Sequence, residues 1–85
     1  MLNHSNTKLA VEINSPEKEL WKGEALSVSS ENLSGVFDIL PFHANFITII
    51  ENKPIKIRTP EKMEEFNFSN AILYATKNKI IIYTL

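Results

Sequence analysis

Eighty-five residues, 44% of them apolar, suffice for one small globular domain and leave no room for a second core. Nine basic and ten acidic side chains give a net charge of −1, so we expect neither a nucleic-acid partner nor a polybasic membrane-binding patch. The absence of Cys excludes disulfides, thiolate catalysis and cysteine-based zinc sites.

The first seven residues lack the apolar core of a signal peptide. No apolar run approaches the ~20 residues that a membrane-spanning helix requires. We therefore expect a disordered tail at residues 1–7, a folded domain at residues 8–85, and no direct membrane insertion.

Apolar and polar side chains alternate along the first half of the chain, which predicts strands that bury one face. In the first strand, Leu9, Val11 and Ile13 share the apolar face. The predicted elements that follow are a Pro-containing turn at 15–18, a short strand at 19–22 closed by Gly23, a strand at 26–29, a loop at 30–35 and a strand from 36 to Pro41.

In the second half, Phe46–Ile50 is β-branched and aromatic throughout, which predicts a strand buried on both faces. The segment 60–66 has a helix-like start, but Phe66 and Phe68 return to strand spacing, so we predict a strand there. Further strands are centred on Ile57, Leu73 and Ile81. About nine or ten short strands joined by turns predict an all-β fold, a flattened β-sandwich of two antiparallel sheets.

Residues that could carry chemistry do not form a recognisable site. His4 and His43 lie far apart in the sequence, and no Cys is available to complete a zinc site. The acidic group Glu61, Glu64 and Glu65 lacks the alternating Asp residues and the Gly of a calcium loop. With only two Gly residues there is no glycine-rich phosphate loop. We therefore expect no catalytic, metal or cofactor site.

Three segments, Leu9–Ala25, Gly35–Ala44 and Phe66–Tyr74, carry a family resemblance. The first has a strand, a Ser-Pro-Glu turn, a hydrophobic pair and a glycine. The second reads Gly-Val-Phe-Asp-Ile-Leu-Pro-Phe-His-Ala, and the third reads Phe-Asn-Phe-Ser-Asn-Ala-Ile-Leu-Tyr before a closing strand. In this order and spacing they resemble the N-terminal domain of the epsilon subunit of F-type ATP synthases, over residues 8–85.

The chain departs from the family pattern at several positions. Asp38 and Phe42 stand where the family usually has Gly, and Asn45 stands where it has Pro. Asn70-Ala71 replaces a Gly-Gly pair. Because Gly reaches backbone angles that other residues reach poorly, these changes bear on the loop conformations. Phe42, an aromatic side chain in a turn, is typical of an interface.

The resemblance implies a non-catalytic rotor subunit of the central stalk, which couples the membrane c-ring to the gamma shaft during ion-driven ATP synthesis. Its partners would be the gamma subunit and the polar loops of the c-ring. It would be peripheral, at the cytoplasmic face of the inner or energy-transducing membrane. Carried over by position, the contacts with the c-ring would be Asn32, Leu33, Ser34, Gly35, Val36 and Asp38, to which we add Phe42, and those with gamma would be Ser15, His43 and Thr48.

Epsilon subunits usually continue into a C-terminal helical hairpin that restrains ATP hydrolysis in many bacteria. This sequence ends with its last predicted strand, so we expect these residues to lack the hairpin and the inhibition that depends on it; whether the natural chain continues beyond Leu85 stays open. Whether the complex would move protons or sodium ions stays open.

A second hypothesis is a free-standing β-sandwich that binds a small molecule or sugar. That hypothesis predicts a concave pocket with converging aromatic and polar side chains. The rotor hypothesis instead predicts a convex domain whose exposed apolar residues cluster around Leu33, Val36 and Phe42.

Overall fold

The computed structural model describes residues 8–85, which fold into nine strands and contain no helix. The predicted tail at residues 1–7, with His4, lies outside the described residues. The strands are β1 (Leu9–Asn14), β2 (Glu19–Ala25), β3 (Ser27–Asn32), β4 (Gly35–Ile39), β5 (Phe46–Glu51), β6 (Pro54–Arg58), β7 (Met63–Asn67), β8 (Asn70–Thr76) and β9 (Lys79–Thr84). The all-β prediction is confirmed.

The strands form two sheets that pack face to face. One has the order β2-β1-β9-β8-β5 and the other the order β4-β3-β6-β7. The pairing is antiparallel as predicted, except between β1 and β9, which are parallel. These are the first and last strands of the domain, so no short connection between them dictates an antiparallel arrangement.

Alternate residues of both sheets meet in one hydrophobic core. Fourteen apolar residues are buried there, and each large one stabilises the fold by about 1.5–3 kcal/mol relative to an exposed position. Aromatic pairs close both sides of the sandwich. Trp21 of β2 lies 6.0 Å from Phe66 of β7, and Phe37 of β4 lies 5.3 Å from Phe46 of β5, between ring centroids.

The connection between β3 and β4 is shorter than the sequence predicts. Residues 30–35 were expected to form a loop because they are polar, yet β3 extends to Asn32 and only two residues remain in the turn. The hydroxyl of buried Ser30 donates a hydrogen bond to the Pro54 carbonyl at 2.9 Å, so this polar residue is accommodated inside a strand. Similarly, β2 does not end at Gly23 but continues to Ala25.

Strand β5 is not buried on both faces, contrary to prediction. Ile50 is buried, but Ile47 and Ile49 are 66% and 59% exposed. The reason is that the sandwich has only two layers, so the four-stranded sheet covers one face of β5 and leaves the other open. Its β-branched composition therefore reflects a strand with an uncovered apolar face.

Candidate partner-binding surface

The turn between β3 and β4 projects an apolar side chain into solvent. Leu33 is 98% exposed, and the Asn32 side-chain oxygen fixes the turn by accepting a hydrogen bond from the Ser34 backbone N–H at 2.8 Å. Gly35 follows with a φ of +122°, a conformation that side-chain-bearing residues rarely adopt. An apolar tip held by a fixed turn is suited to contact with another molecule.

Asn32 also connects this turn to β5. Its Nδ2 group donates a hydrogen bond to the Thr48 hydroxyl at 2.9 Å, across the two sheets. The family resemblance implies a c-ring contact for Asn32 and a gamma contact for Thr48, and the structure brings the two residues together. An open groove of about 490 Å³ lies beside them, lined by Asn32, Leu33, Ser34, Ile47, Thr48, Ile49 and Ile72.

Val36 and Asp38 lie on the outer face of β4. Val36 is 83% exposed, next to the turn, whereas Asp38 pairs across the sheet with Ser29. The Ser29 hydroxyl donates a hydrogen bond to the Asp38 carboxylate. Asp38 therefore fits a regular strand position, even though the family usually has Gly there.

Phe42 lies at the other end of β4 from Leu33. The five residues of β4 span about 16 Å at ~3.3 Å per residue, so the structure does not bring Phe42 and the β3–β4 turn together. Phe42 is 58% exposed and has a φ of +69°, the left-handed conformation that the usual Gly would adopt freely. Its backbone N–H donates a hydrogen bond to the Asn78 side-chain oxygen at 2.9 Å, which joins this loop to the β8–β9 turn.

Replacing Phe42 with Gly should relieve this backbone strain. We expect the free energy of unfolding of Phe42→Gly to be unchanged or raised by up to about 1 kcal/mol, because the relief exceeds or balances the extra entropy of the unfolded chain. Phe42→Ala, which keeps the strain, should be the less stable of the two in urea denaturation. A loss above about 2 kcal/mol for Phe42→Gly would instead show that the ring packs into the core.

The three residues predicted to contact gamma lie in different surroundings. Ser15 follows β1, and its hydroxyl donates to the Lys18 carbonyl at 3.1 Å, which closes the β1–β2 turn. His43 lies just before β5, and its Nε2 atom is buried without a hydrogen-bond partner among residues 8–85. Thr48 lies on β5 itself, three strands away from β1 in the sheet order. Ser15 and Thr48 therefore do not lie next to each other in the structure.

The five-stranded sheet has an apolar outer face that was not predicted from the sequence. Two rows of directly paired residues cross β5, β8 and β9 on this face. Their members are Ile47, Tyr74 and Ile81 in one row, and Ile49, Ile72 and Tyr83 in the other. All but the partly buried Ile81 are more than 40% exposed. We call these six residues the apolar face. The sequence of β5 could have indicated this face, because the uncharged run Phe46–Ile50 is as typical of an interface as of a core.

Metal ligands, membrane-spanning helices and groove lining bear on the other functional hypotheses. No group of three or more His, Cys, Asp or Glu residues within 8–85 could hold a metal ion. In the part of the chain that the structure describes, no helix is long and apolar enough to cross a membrane. The groove beside Leu33 has no aromatic lining. A smaller open groove of about 260 Å³, next to the start of β5, is lined by Phe37, Asp38, His43 and Phe46, and is the one that comes nearer to what the binding-module hypothesis predicts.

Comparison with protein families matches residues 8–85 to a domain described as "ATP synthase, Delta/Epsilon chain, beta-sandwich domain". The ATP synthase epsilon chain of Leptospira interrogans is 35% identical over 80 residues, covering 94% of this chain and 63% of that protein. The epsilon chain of Sulfurimonas denitrificans is 32% identical over 77 residues, covering 89% and 59%. The chain thus spans about three fifths of the length of these relatives.

Two solved structures share the fold at low sequence identity. A chain from the central stalk and c-ring of the Tetrahymena thermophila mitochondrial ATP synthase superposes with a TM-score of 0.75 and 15% identity, covering 92% of this chain and 63% of that one. A chain from the OSCP/F1/c-ring structure of the Euglena gracilis mitochondrial ATP synthase gives a TM-score of 0.83 and 10% identity, covering 99% and 56%.

Proposed function

The chain belongs to the delta/epsilon family of ATP synthase β-sandwich subunits, and from that premise we propose that it is the central-stalk epsilon subunit of an F-type ATP synthase. In this role it joins the membrane c-ring to the gamma shaft, so that ion-driven rotation of the ring reaches the catalytic head. It catalyses no reaction itself. It sits peripherally on the cytoplasmic side of the energy-transducing membrane, as part of the complex.

The observation that carries this proposal is the pairing of a stiff scaffold with exposed apolar surface. Nearly all described residues belong to paired strands or short turns, which suits a part that transmits torque without deforming. Yet Leu33, Val36, Ile47 and Ile49 are each more than half exposed. Exposed apolar residues that lie close together are typical of protein–protein contacts.

We assign the two partners to adjoining surfaces. The β3–β4 turn and Val36 would contact the c-ring, as the family resemblance implies. Gamma would cover Thr48 and the neighbouring apolar face. The hydrogen bond from Asn32 to Thr48 links the two surfaces, so a force on the turn would pass directly into β5. Phe42, at the far end of β4, would meet a separate part of the assembly.

The proposal is tested by binding. The purified chain should co-elute with the gamma subunit of the same organism at micromolar concentrations, and the pair should associate with isolated c-ring. Failure to bind gamma under mild conditions would contradict the rotor assignment. Saturable binding of a sugar or small metabolite, without binding to gamma, would favour the binding-module hypothesis.

Leu33 offers a prediction specific to the ring. Leu33→Asp should leave the melting temperature unchanged, because the side chain is 98% exposed, and should leave gamma binding intact. It should weaken association with the c-ring at least ~10-fold, as expected for a central apolar contact. Met63→Asp, at an exposed position on β7, is the matched control and should bind the ring normally. Equal ring binding by both variants would contradict the assignment of the turn.

The proposal also concerns the restraint of ATP hydrolysis. Residues 8–85 form no helix, so this part of the chain offers no equivalent of the helical hairpin. We propose that residues 8–85 by themselves restrain ATP hydrolysis less than an epsilon subunit that carries the hairpin. Comparing ATP hydrolysis by the catalytic head with and without the chain measures this directly.

A further inference from the structure

The apolar face is an open sheet surface of the kind that another sheet covers in a β-sandwich. Its two rows run across β5, β8 and β9, and the four-stranded sheet lies on the other side of these strands. Five of the six side chains are therefore more than 40% exposed. Contiguous exposed apolar side chains mark surfaces that bind another molecule, and the arrangement of the rows indicates which molecule fits.

The two rows are complementary to each other. Each contains two Ile and one Tyr, and the Tyr lies on β8 in one row and on β9 in the other. A two-fold axis that runs across the strands, between the rows, places the first row of one copy on the second row of another copy. Tyr74 then faces Ile72 of the second copy, and Tyr83 faces Ile81. No two Tyr rings compete for the same space.

The charges around the rows fit the same two-fold arrangement. Exposed Glu51 lies on β5 beyond one row, and exposed Lys79 lies on β9 beyond the other. Because the axis exchanges the two ends, the end with Glu51 of one copy lies over the end with Lys79 of the other, so charges of opposite sign approach. Glu12, which pairs with Lys79 at 3.6 Å, faces the uncharged Asn14 of the second copy.

The size of the apolar face sets the strength of such a contact. At ~4.8 Å between strands and ~6.8 Å between alternate residues, three strands and two rows cover a flat area of about 14 Å by 14 Å. Stable interfaces bury roughly 800 Å² of accessible surface on each partner, which is more than this patch provides. The contact is therefore expected to be weak and to exchange with free monomer.

We propose that two copies of the free chain pair through the apolar face, sheet on sheet, in a two-fold symmetric dimer. Packed sheets lie about 10 Å apart with interdigitated side chains, and the Ile and Tyr side chains of the two rows supply that layer. Pairing shields the apolar face until another partner replaces the second copy. Gamma, which we propose covers the same face, would dissolve the dimer, but self-association belongs to the chain alone and does not depend on that role.

Sedimentation equilibrium of the unaltered chain tests the inference. The weight-average mass should rise from that of a monomer at about 5 µM toward that of a dimer at about 1 mM, with a dissociation constant on the order of 100 µM. A chain that stays monomeric at about 1 mM would overturn the inference, and the proposed function would stand with gamma as the occupant of the face. Growth beyond a dimer would overturn the two-fold arrangement, because a closed pair leaves no free apolar face.

A charge exchange across the two-fold axis tests the register of the pair. In a dimer of identical copies, Ile72→Lys and Tyr74→Glu each place two charges against apolar side chains, so each should self-associate at least ~10-fold more weakly. A mixture of the two variants should associate more strongly than either alone, because the introduced Lys then faces the introduced Glu. Both positions are more than 40% exposed, so thermal denaturation should show folded variants.

Met63→Lys is the matched control, because Met63 is 45% exposed on the other sheet. It should self-associate like the unaltered chain. Equal association by Ile72→Lys and Met63→Lys would place the contact on another surface and overturn the inference. A mixture of Ile72→Lys and Tyr74→Glu that associates no better than each variant alone would overturn it as well.

Discussion

Leu73→Ala is expected to remove a large part of the stability of this domain. Leu73 is fully buried in β8, between β5 and β9, where truncation leaves a cavity that rigid paired strands cannot close. The free energy of unfolding should fall by about 2–5 kcal/mol. Because a domain of this size has a small unfolding entropy, the melting temperature should drop by at least ~10 °C.

The neighbouring residue provides the control. Ile72 lies on the same strand and points to the opposite, uncovered face, where it is 41% exposed. Ile72→Ala should therefore cost less than about 1 kcal/mol in the same urea titration, since little packing is lost. Equal losses for Leu73→Ala and Ile72→Ala would contradict the assignment of inner and outer faces in the five-stranded sheet.

The second large effect concerns binding. Replacing both Ile47 and Ile49 with Lys should weaken gamma binding at least ~100-fold, because two charges would have to be desolvated where two apolar anchors were buried. Since both side chains are more than half exposed in the isolated chain, its melting temperature should fall only slightly. Isothermal titration with gamma and thermal denaturation measure the two effects.

A matched double variant separates charge from position. Leu20 and Met63 are 39% and 45% exposed on β2 and β7, at the opposite side of the sandwich. Leu20→Lys with Met63→Lys adds the same two charges there, and gamma affinity should stay within about 3-fold of the original. If the two double variants lose affinity equally, gamma does not bind at the β5 side.

Much of the fold follows from the alternation of apolar residues. The core positions Leu9, Val11 and Ile13, and the strand at Phe66, lie where period-two spacing predicts them. This works because one face of each strand must be buried against the other sheet. Polar segments were predicted less well. Ser30 was predicted to lie in a loop because it is polar, but it lies in β3, where its hydroxyl donates a hydrogen bond to the Pro54 carbonyl of β6. No local pattern reveals such a distant partner.

The candidate surface was only partly predictable for a related reason. The exposure of Leu33, Val36 and Phe42 was predicted correctly, because turn residues and family position both indicated it. The prediction that the three residues cluster was wrong, since the length of β4 separates Phe42 from Leu33 and Val36. Ile47 and Ile49 are exposed because the second sheet covers only one face of the five-stranded sheet, as it does for Ile72 and Tyr74 on the internal strand β8, and composition does not reveal this.

The central claim is that this chain connects the rotating ring to the shaft. It is tested most directly by ion-driven ATP synthesis in membrane vesicles whose ATP synthase is assembled with and without the chain. We expect vesicles that lack the chain to lose most ATP synthesis while the catalytic head retains ATP hydrolysis, and to recover synthesis when the chain is added back. Undiminished synthesis in its absence, with the complex assembled, would contradict the claim.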